Sequence, residues 1–252
     1  MKGKLIKIIC LPIAIVRFIV FALYSVIYLY YLQTLFLLKH GKNPDISKHS
    51  KLWALVSAWI LGIKMEISNP GNLPENSIFM SNHRTYLDIL ICFAIYPASI
   101  IAKKELGSWP LVSTAVRYLK IILVDRSNMA SLIETMRKAE EHLVGGGRLI
   151  VYPEGTTGNE NGTKAFKSGI FAIAVQNQIK TIPVVIEFKH RDMAWVDDDL
   201  FLPHFLMTLG RPVNRVKIII GEPLCGNDEK ELRITIKDWM DKQLAEIQAS
   251  WN

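Results

Sequence analysis

The sequence is short of cysteine and of charge. Its 252 residues include three cysteines and 21% charged residues. Cys10, Cys92 and Cys225 lie far apart and form no C-x-x-C pair, which excludes a disulfide-rich scaffold and a zinc site built on thiolates. The chain also lacks the G-x-S-x-G element of serine hydrolases, and its triple glycine is not followed by the G-K-[ST] of a P-loop. An apolar fraction of 50% excludes a disordered chain.

Positive charge is concentrated in the N-terminal third, where no acidic residue precedes Asp45. Residues 1–80 contain nine Lys and Arg residues and three acids, a net charge of +6, whereas the rest of the chain has a net charge of +1. The same segment is the most apolar part of the sequence. A basic and strongly apolar segment favours an anionic membrane surface as the partner and argues against nucleic acid.

An apolar run near the N-terminus is long enough to cross a bilayer. Arg17 is the only charged residue between positions 8 and 38. The run is too long for the apolar core of a signal peptide, and no A-x-A-type cleavage site follows it. We therefore expect the segment to be retained as a membrane anchor.

A second apolar stretch at residues 52–63 follows a polar turn that contains Pro44 and Ser47. It is too short to span a bilayer and suits a helix in the interface. The two helices predict a membrane-docking hairpin whose ends lie on one side, the cytoplasmic one, at an undetermined depth. We expect residues 1–65 to form this hairpin and residues 66–252 to form the globular domain.

Beyond residue 66, short apolar runs alternate with amphipathic stretches. The pattern predicts strands at 77–81, 99–102, 120–124, 148–152, 181–188 and 215–220, and helices at 86–95, 128–144, 166–176 and 228–249. This alternation predicts an α/β fold with a largely parallel sheet flanked by helices. Such folds bind their ligands at the carboxyl ends of the strands.

Reactive and charged side chains follow several of the predicted strands. His83 leaves the first, and Asp88 lies in the first turns of the next helix, where it can orient one imidazole nitrogen and leave the other as a general base. Lys104 and Arg126 follow two later strands and can hold an anion. Taken singly, the spacing of His83 and Asp88 is better explained as incidental, and each cation is better explained as ordinary surface charge.

A third segment, residues 152–162, breaks at Pro153 into a glycine-rich turn. Backbone N–H groups in such a turn can converge on an anion, and Lys164 and Lys167 follow closely. Taken alone, the segment is also compatible with a plain surface loop.

The chain contains five sequence blocks in this order and spacing: NHRTYLD, AKKEL, VDR, YPEGTT and IPVV. Through these blocks the chain resembles the glycerophospholipid acyltransferase family, and within it the bacterial lysophosphatidic acid acyltransferases. The resemblance covers roughly residues 45–225. It implies acyl transfer from acyl-carrier protein or acyl-CoA to the free hydroxyl of 1-acyl-glycerol-3-phosphate, forming phosphatidic acid. It also implies a place at the cytoplasmic face of the bacterial inner membrane, and neither a metal nor a cofactor besides the acyl donor.

The same resemblance assigns roles to individual residues. His83 is then the general base on the acceptor hydroxyl, and Asp88 is its orienting partner. The implied substrate-binding residues, which hold the acceptor's phosphate or shape its site, are Lys104, Arg126, Glu154, Gly155 and Thr156.

One position departs from the family pattern. Many members carry arginine after P-E-G-T, where this chain has Thr157, so a phosphate anchor is either lost or supplied by Lys164 or Lys167. The P-E-G-T-T variant also occurs in relatives that acylate other lyso-lipids, including lyso-ornithine lipid and lysophosphatidylcholine. Three alternatives therefore stay open: another lyso-lipid as the acceptor, a non-catalytic lipid-binding protein, and a lipid hydrolase that uses the same base on water.

The segment 189–212 has no role in this interpretation. It ends in the apolar stretch LFLPHFLMTL, which is compatible with core packing, a second membrane contact or part of an acyl-chain channel.

Overall fold

The structure is a computed structural model. It describes the chain at residues 2–38, 47–69, 71, 73–108, 116, 121–125, 127–196 and 199–251, with the side chains of residues 2–10, 47 and 48 outside the description.

Two helices precede the sheet. Helix α1 (Lys2–Leu38) contains the predicted apolar run, and helix α2 (Ser47–Ile60) contains the second. Within the described residues, Leu11–Leu38 is the one helical segment long and apolar enough to cross a membrane, and only 11% of its most apolar window is buried. Helix α2 ends earlier than predicted because Gly62, with a φ of 68°, turns the chain into a strand.

The two helices pack side by side. The indole Nε1 of Trp53 on α2 donates to Ser25 Oγ on α1 at 3.3 Å, and its ring stacks on Tyr28 with centroids 5.8 Å apart. This contact agrees with the predicted hairpin, although its turn at residues 39–46 lies outside the described residues.

Seven strands of the described chain form one sheet in the order β1-β7-β6-β2-β5-β3-β4. Neighbouring strands are parallel except β6 and β7, so the predicted largely parallel α/β sheet is confirmed. The strands are β1 (Ile63–Ser68), β2 (Ser77–Ser81), β3 (Ser99–Lys103), β4 (Ile122–Val124), β5 (Arg148–Val151), β6 (Lys180–Phe188) and β7 (Asn214–Ile220).

Strand β1 is absent from the prediction, which extended the second helix to Ile63. It pairs in parallel with β7, with Ile63 opposite Asn214. The sheet therefore begins three residues before the predicted domain boundary at residue 66, and residues 63–65 belong to the sheet.

In the described part of the chain, five α-helices follow the first two strands. Helix α4 begins after Asn128, whose side chain caps it by accepting a hydrogen bond from the Ser131 N–H. Helix α6 lies in the segment that had no predicted structure. The helices are α3 (Leu87–Ile95), α4 (Met129–Val144), α5 (Gly169–Gln176), α6 (Phe201–Thr208) and α7 (Glu229–Ala249).

Helices cover both faces of the sheet, and β6 shows the division. Its side chains alternate, so Val184 and Ile186 face the core beneath α2, α3 and α6, whereas Val185 faces the core beneath α4, α5 and α7. Burial on both faces explains why these strands read as continuous apolar runs in the sequence.

Candidate active site

The site begins where β2 ends. Asn82, the next residue, is fully buried, and its side chain exchanges two 2.8 Å hydrogen bonds with the backbone N–H and C=O of Ile186 on β6. This bidentate contact fixes the path of the chain as it leaves the sheet. His83 therefore emerges at the carboxyl edge of the parallel strands, where α/β folds bind ligands.

His83 and Asp88 are in direct contact. The Nδ1 atom of His83 lies 2.8 Å from Asp88 Oδ2, which also accepts the backbone N–H groups of Arg84 at 2.6 Å and Thr85 at 2.8 Å. Asp88 is buried in the first turn of α3, where the helix dipole favours a negative charge. A carboxylate only accepts, so Nδ1 carries the proton, and Nε2 has no hydrogen bond to any described residue.

An aromatic ring supports the imidazole from one side. The rings of His83 and Tyr152 stack with centroids 4.1 Å apart and 16° between their planes. The Tyr152 hydroxyl donates to Cys92 Sγ at 3.6 Å. Burial raises the pKa of the Cys92 thiol to about 12, so that thiol stays protonated. These contacts restrict the imidazole, whose side chain is 16% exposed.

Glu154 holds the backbone at His83. Its buried carboxylate accepts the His83 N–H at 2.9 Å through Oε1 and the Lys164 N–H at 2.8 Å through Oε2. Burial raises the pKa of this carboxyl group, and the two N–H donors act in the opposite direction. Both oxygens are engaged inside the protein, and the predicted substrate contact of Glu154 stays a prediction.

The turn after Glu154 wraps around the same peptide. Gly155 has a φ of +72°, which a side chain would strain, and the Gly158 N–H donates to the His83 carbonyl at 2.9 Å. Thr156 is exposed, and the N–H groups of Thr156 and Thr157 donate to no described residue. The turn thus presents free backbone donors beside His83.

A buried ion pair between Arg84 and Glu187, which the sequence did not reveal, contacts the turn and stabilises it. Arg84 donates through Nε to Glu187 Oε2 at 2.9 Å and through Nη1 to the Gly158 carbonyl at 3.3 Å. Both side chains are more than nine-tenths buried. Since 103 residues separate them in sequence, no local pattern could pair them.

The predicted cations differ in their surroundings. Lys104 is 68% exposed, with its Nζ 3.7 Å from Asp125 Oδ2, and Arg126 lies outside the described residues. Lys164 donates to the Thr157 carbonyl at 2.8 Å. The hydroxyl of Thr157, at the position of the family's arginine, donates to the Trp195 carbonyl.

Lys167 lies beside Gly155 in the glycine turn. A carbon atom added at Gly155 would come within 2.9 Å of the Lys167 Nζ, so this ammonium lies against the turn. It forms no ion pair with any described residue. Of the two lysines offered as substitutes for the missing arginine, Lys167 is the one that remains available.

Known proteins match both the sequence and the fold. Residues 64–187 match the model of the Acyltransferase family. Proteins named 1-acyl-sn-glycerol-3-phosphate acyltransferase are similar: that of Limnanthes alba is 30% identical over 54% of this chain and 49% of its own length, and that of Neisseria gonorrhoeae is 28% identical over 51% of each. The chain thus spans about half the length of these relatives.

The fold has a counterpart among solved structures. The 1-acyl-sn-glycerophosphate (LPA) acyltransferase PlsC of Thermotoga maritima superposes with a TM-score of 0.66 at 24% identity, over 94% of this chain and 99% of that one. This likeness extends from the sheet to the N-terminal helices. The similarity to the Acyltransferase family covers residues 64–187, slightly less than half of the chain.

Proposed function

We propose that this protein transfers an acyl group from acyl-CoA or acyl-carrier protein to the free hydroxyl of 1-acyl-glycerol-3-phosphate. The products are phosphatidic acid and the free thiol of the donor. The observation that carries the proposal is the His83–Asp88 pair, with an unengaged Nε2 at the carboxyl edge of an acyltransferase-family sheet.

In the proposed reaction, His83 Nε2 removes the proton of the acceptor hydroxyl as its oxygen attacks the thioester carbon. The tetrahedral intermediate then expels the thiolate, which recovers that proton from the imidazolium. Asp88 keeps the proton on Nδ1 and stabilises the imidazolium by its charge. A general base of this kind contributes about 10²–10⁴-fold to the rate.

We assign the acceptor's phosphate to the turn at residues 154–158 and the cations around it. The free N–H groups of Thr156 and Thr157 provide backbone donors for an anion, and the Lys167 ammonium beside Gly155 adds charge. Lys104 and Arg126 complete the proposed set. This assignment supports a phosphate-bearing acceptor without the family's usual arginine.

We propose that α1 anchors the enzyme in the membrane and that the catalytic domain lies on the cytoplasmic face of a bacterial inner membrane. The length and exposure of Leu11–Leu38 support an anchor. The two-helix hairpin would return both of its ends to one side of the membrane, and the lysines at those ends support a cytoplasmic location, because positive flanks are retained on that side.

Thr157 favours a second candidate, the same chemistry on a different lyso-lipid. Purified protein in detergent, given labelled acyl-CoA or acyl-carrier protein, separates the two when lysophosphatidic acid, lysophosphatidylcholine and lyso-ornithine lipid are offered in parallel. Labelled phosphatidic acid as the main product supports the first proposal. Preferential acylation of another lyso-lipid reassigns the acceptor, and transfer to none of them contradicts both.

A further inference from the structure

The segment 200–213 has an apolar outer surface. Helix α6 turns His204, Phe205 and Thr208 toward the core and contains no charged residue. A helix with one face in a core normally presents polar side chains on the other. Here every exposed residue of the segment is apolar: Leu200, Leu202, Pro203, Met207, Pro212 and Val213.

This surface continues onto helix α1. The ring of Phe18 meets the edge of Phe205 with centroids 5.2 Å apart, so the two helices pack directly together. Beside this contact α1 exposes a further set of apolar residues, namely Val16, Ile19, Val20 and Leu23. The outer face of α6 is thus an extension of a helix that is apolar enough to cross a membrane.

Arg17 links helix α1 to the residues that follow α6. The only charged residue of the apolar run donates to the carbonyls of Leu209 at 2.7 Å and Pro212 at 2.8 Å, and to that of Arg211. Charged side chains on membrane helices are tolerated when backbone carbonyls satisfy their donors. The guanidinium therefore joins α1 to the end of α6 without exposing an unsatisfied charge.

We propose that segment 200–213 is a second membrane-docking element, with the outer face of α6 embedded in the interfacial region of a lipid bilayer beside α1. The inference rests on the proposed membrane association and extends it beyond the two N-terminal helices. The segment also contacts the turn that carries His83. The Tyr86 hydroxyl lies 3.2 Å from His204 Nδ1 on α6, and just before the segment the backbone N–H of Trp195 donates to the Arg84 carbonyl at 2.8 Å. The docked bilayer would therefore lie close to the proposed active site.

Spin labels test the depth of this surface in the full chain. In a Cys10→Ser, Cys225→Ser background, single cysteines replace Met207, Leu202 and, on the opposite layer, the exposed Ile133 of α4. A fourth label at Leu23 reports on α1. Bound to vesicles of phosphatidylethanolamine and phosphatidylglycerol, the labels at 202 and 207 should be accessible to oxygen and protected from a nickel chelate, while the label at 133 should be water-accessible.

Two results overturn the proposal. In the first, the label at 23 lies in the bilayer, but the labels at 202 and 207 are as water-accessible as the label at 133. This result would limit membrane docking to α1. Labels shielded from both oxygen and nickel indicate a protein partner or a second copy on this face. If the label at 23 is also in water, the membrane association in the proposed function has failed as well.

A functional variant gives a second readout. Leu202→Asp with Met207→Asp should reduce kcat/KM by at least about tenfold for an acceptor presented in vesicles, because each charge is strongly disfavoured in a bilayer. Activity on a short-chain, monomeric acceptor should stay within about twofold of the wild type, since neither side chain belongs to the proposed site. Ile133→Asp is the matched control, and an equal loss on both acceptors contradicts membrane docking.

Discussion

The Nδ1 atom of His83 lies 2.8 Å from Asp88 Oδ2, and the same oxygen accepts two backbone N–H groups of the turn between them. One carboxylate oxygen thus sets the imidazole tautomer and the conformation of the turn that carries it. Substitution of Asp88 should therefore affect both chemistry and local structure.

Asp88→Asn is expected to lower kcat by about 10²–10⁴-fold, because an amide holds neither the proton on Nδ1 nor the charge of the imidazolium. The measurement is single-turnover acyl transfer in detergent, with unfolding followed by circular dichroism. Asp238→Asn, on the exposed face of α7, is the matched control and should retain wild-type rates. The expected loss is at least about 10²-fold. A rate for Asp88→Asn within about threefold of the control would therefore contradict a role for this carboxylate in the mechanism.

Glu154→Gln should displace the His83 turn without removing any reacting group. One of the two N–H groups that Glu154 now accepts would face an amide NH2, at a cost of about 1–3 kcal/mol in the free energy of unfolding. We expect kcat to fall with little change in KM for the acceptor. Glu222→Gln, an exposed acid, controls for loss of charge; a rise confined to KM would instead indicate a direct substrate contact.

Lys167→Gln tests the phosphate anchor. If Lys167 replaces the family's arginine, kcat/KM for lysophosphatidic acid should fall about 10–100-fold, the range expected for a charge-assisted hydrogen bond. The rate with a phosphate-free lyso-lipid should not change. Lys180→Gln, at the first residue of β6 and the opposite edge of the sheet, is the control. Equal losses on both acceptors would show that Lys167 acts on the fold.

Cysteine alkylation reports on the packing beneath the imidazole. Because burial raises the pKa of Cys92 to about 12, its thiol should resist iodoacetamide at pH 8 in the folded protein, whereas the exposed Cys225 reacts. Mass spectrometry of a Cys10→Ser variant measures both sites. Since Tyr152 bridges Cys92 and His83, Tyr152→Ala should make Cys92 reactive. Rapid labelling of Cys92 in the unsubstituted protein would contradict the packing described.

Much of the sheet was predictable because its strands are short apolar runs separated by clear breaks. Strand β2 has the predicted bounds, and α7 begins within one residue of its predicted start because Asp228 caps it. Strand β1 was missed because its pairing with β7 joins segments about 150 residues apart in sequence, which no local periodicity reveals. The eight-residue α6 was missed because a short apolar run with a proline at its third position suits several structures.

The candidate site divides in the same way. His83 and Asp88 are five residues apart, and their contact follows from a strand end and a helix start. The support around them is non-local: Glu154 reaches across 71 residues to the His83 N–H, and Arg84 pairs with Glu187. Tyr152 belongs to the conspicuous YPEGTT block, but only the structure shows its ring against the imidazole.

The most direct test of the central claim is acyl transfer by His83→Ala compared with the wild type, measured with labelled acyl donor and lysophosphatidic acid. The account predicts labelled phosphatidic acid from the wild type and at least about 10²-fold less from the variant. Flotation with vesicles should recover both proteins equally, since α1 is unchanged. A variant that floats normally and retains wild-type transfer would contradict the assignment of His83 as the general base.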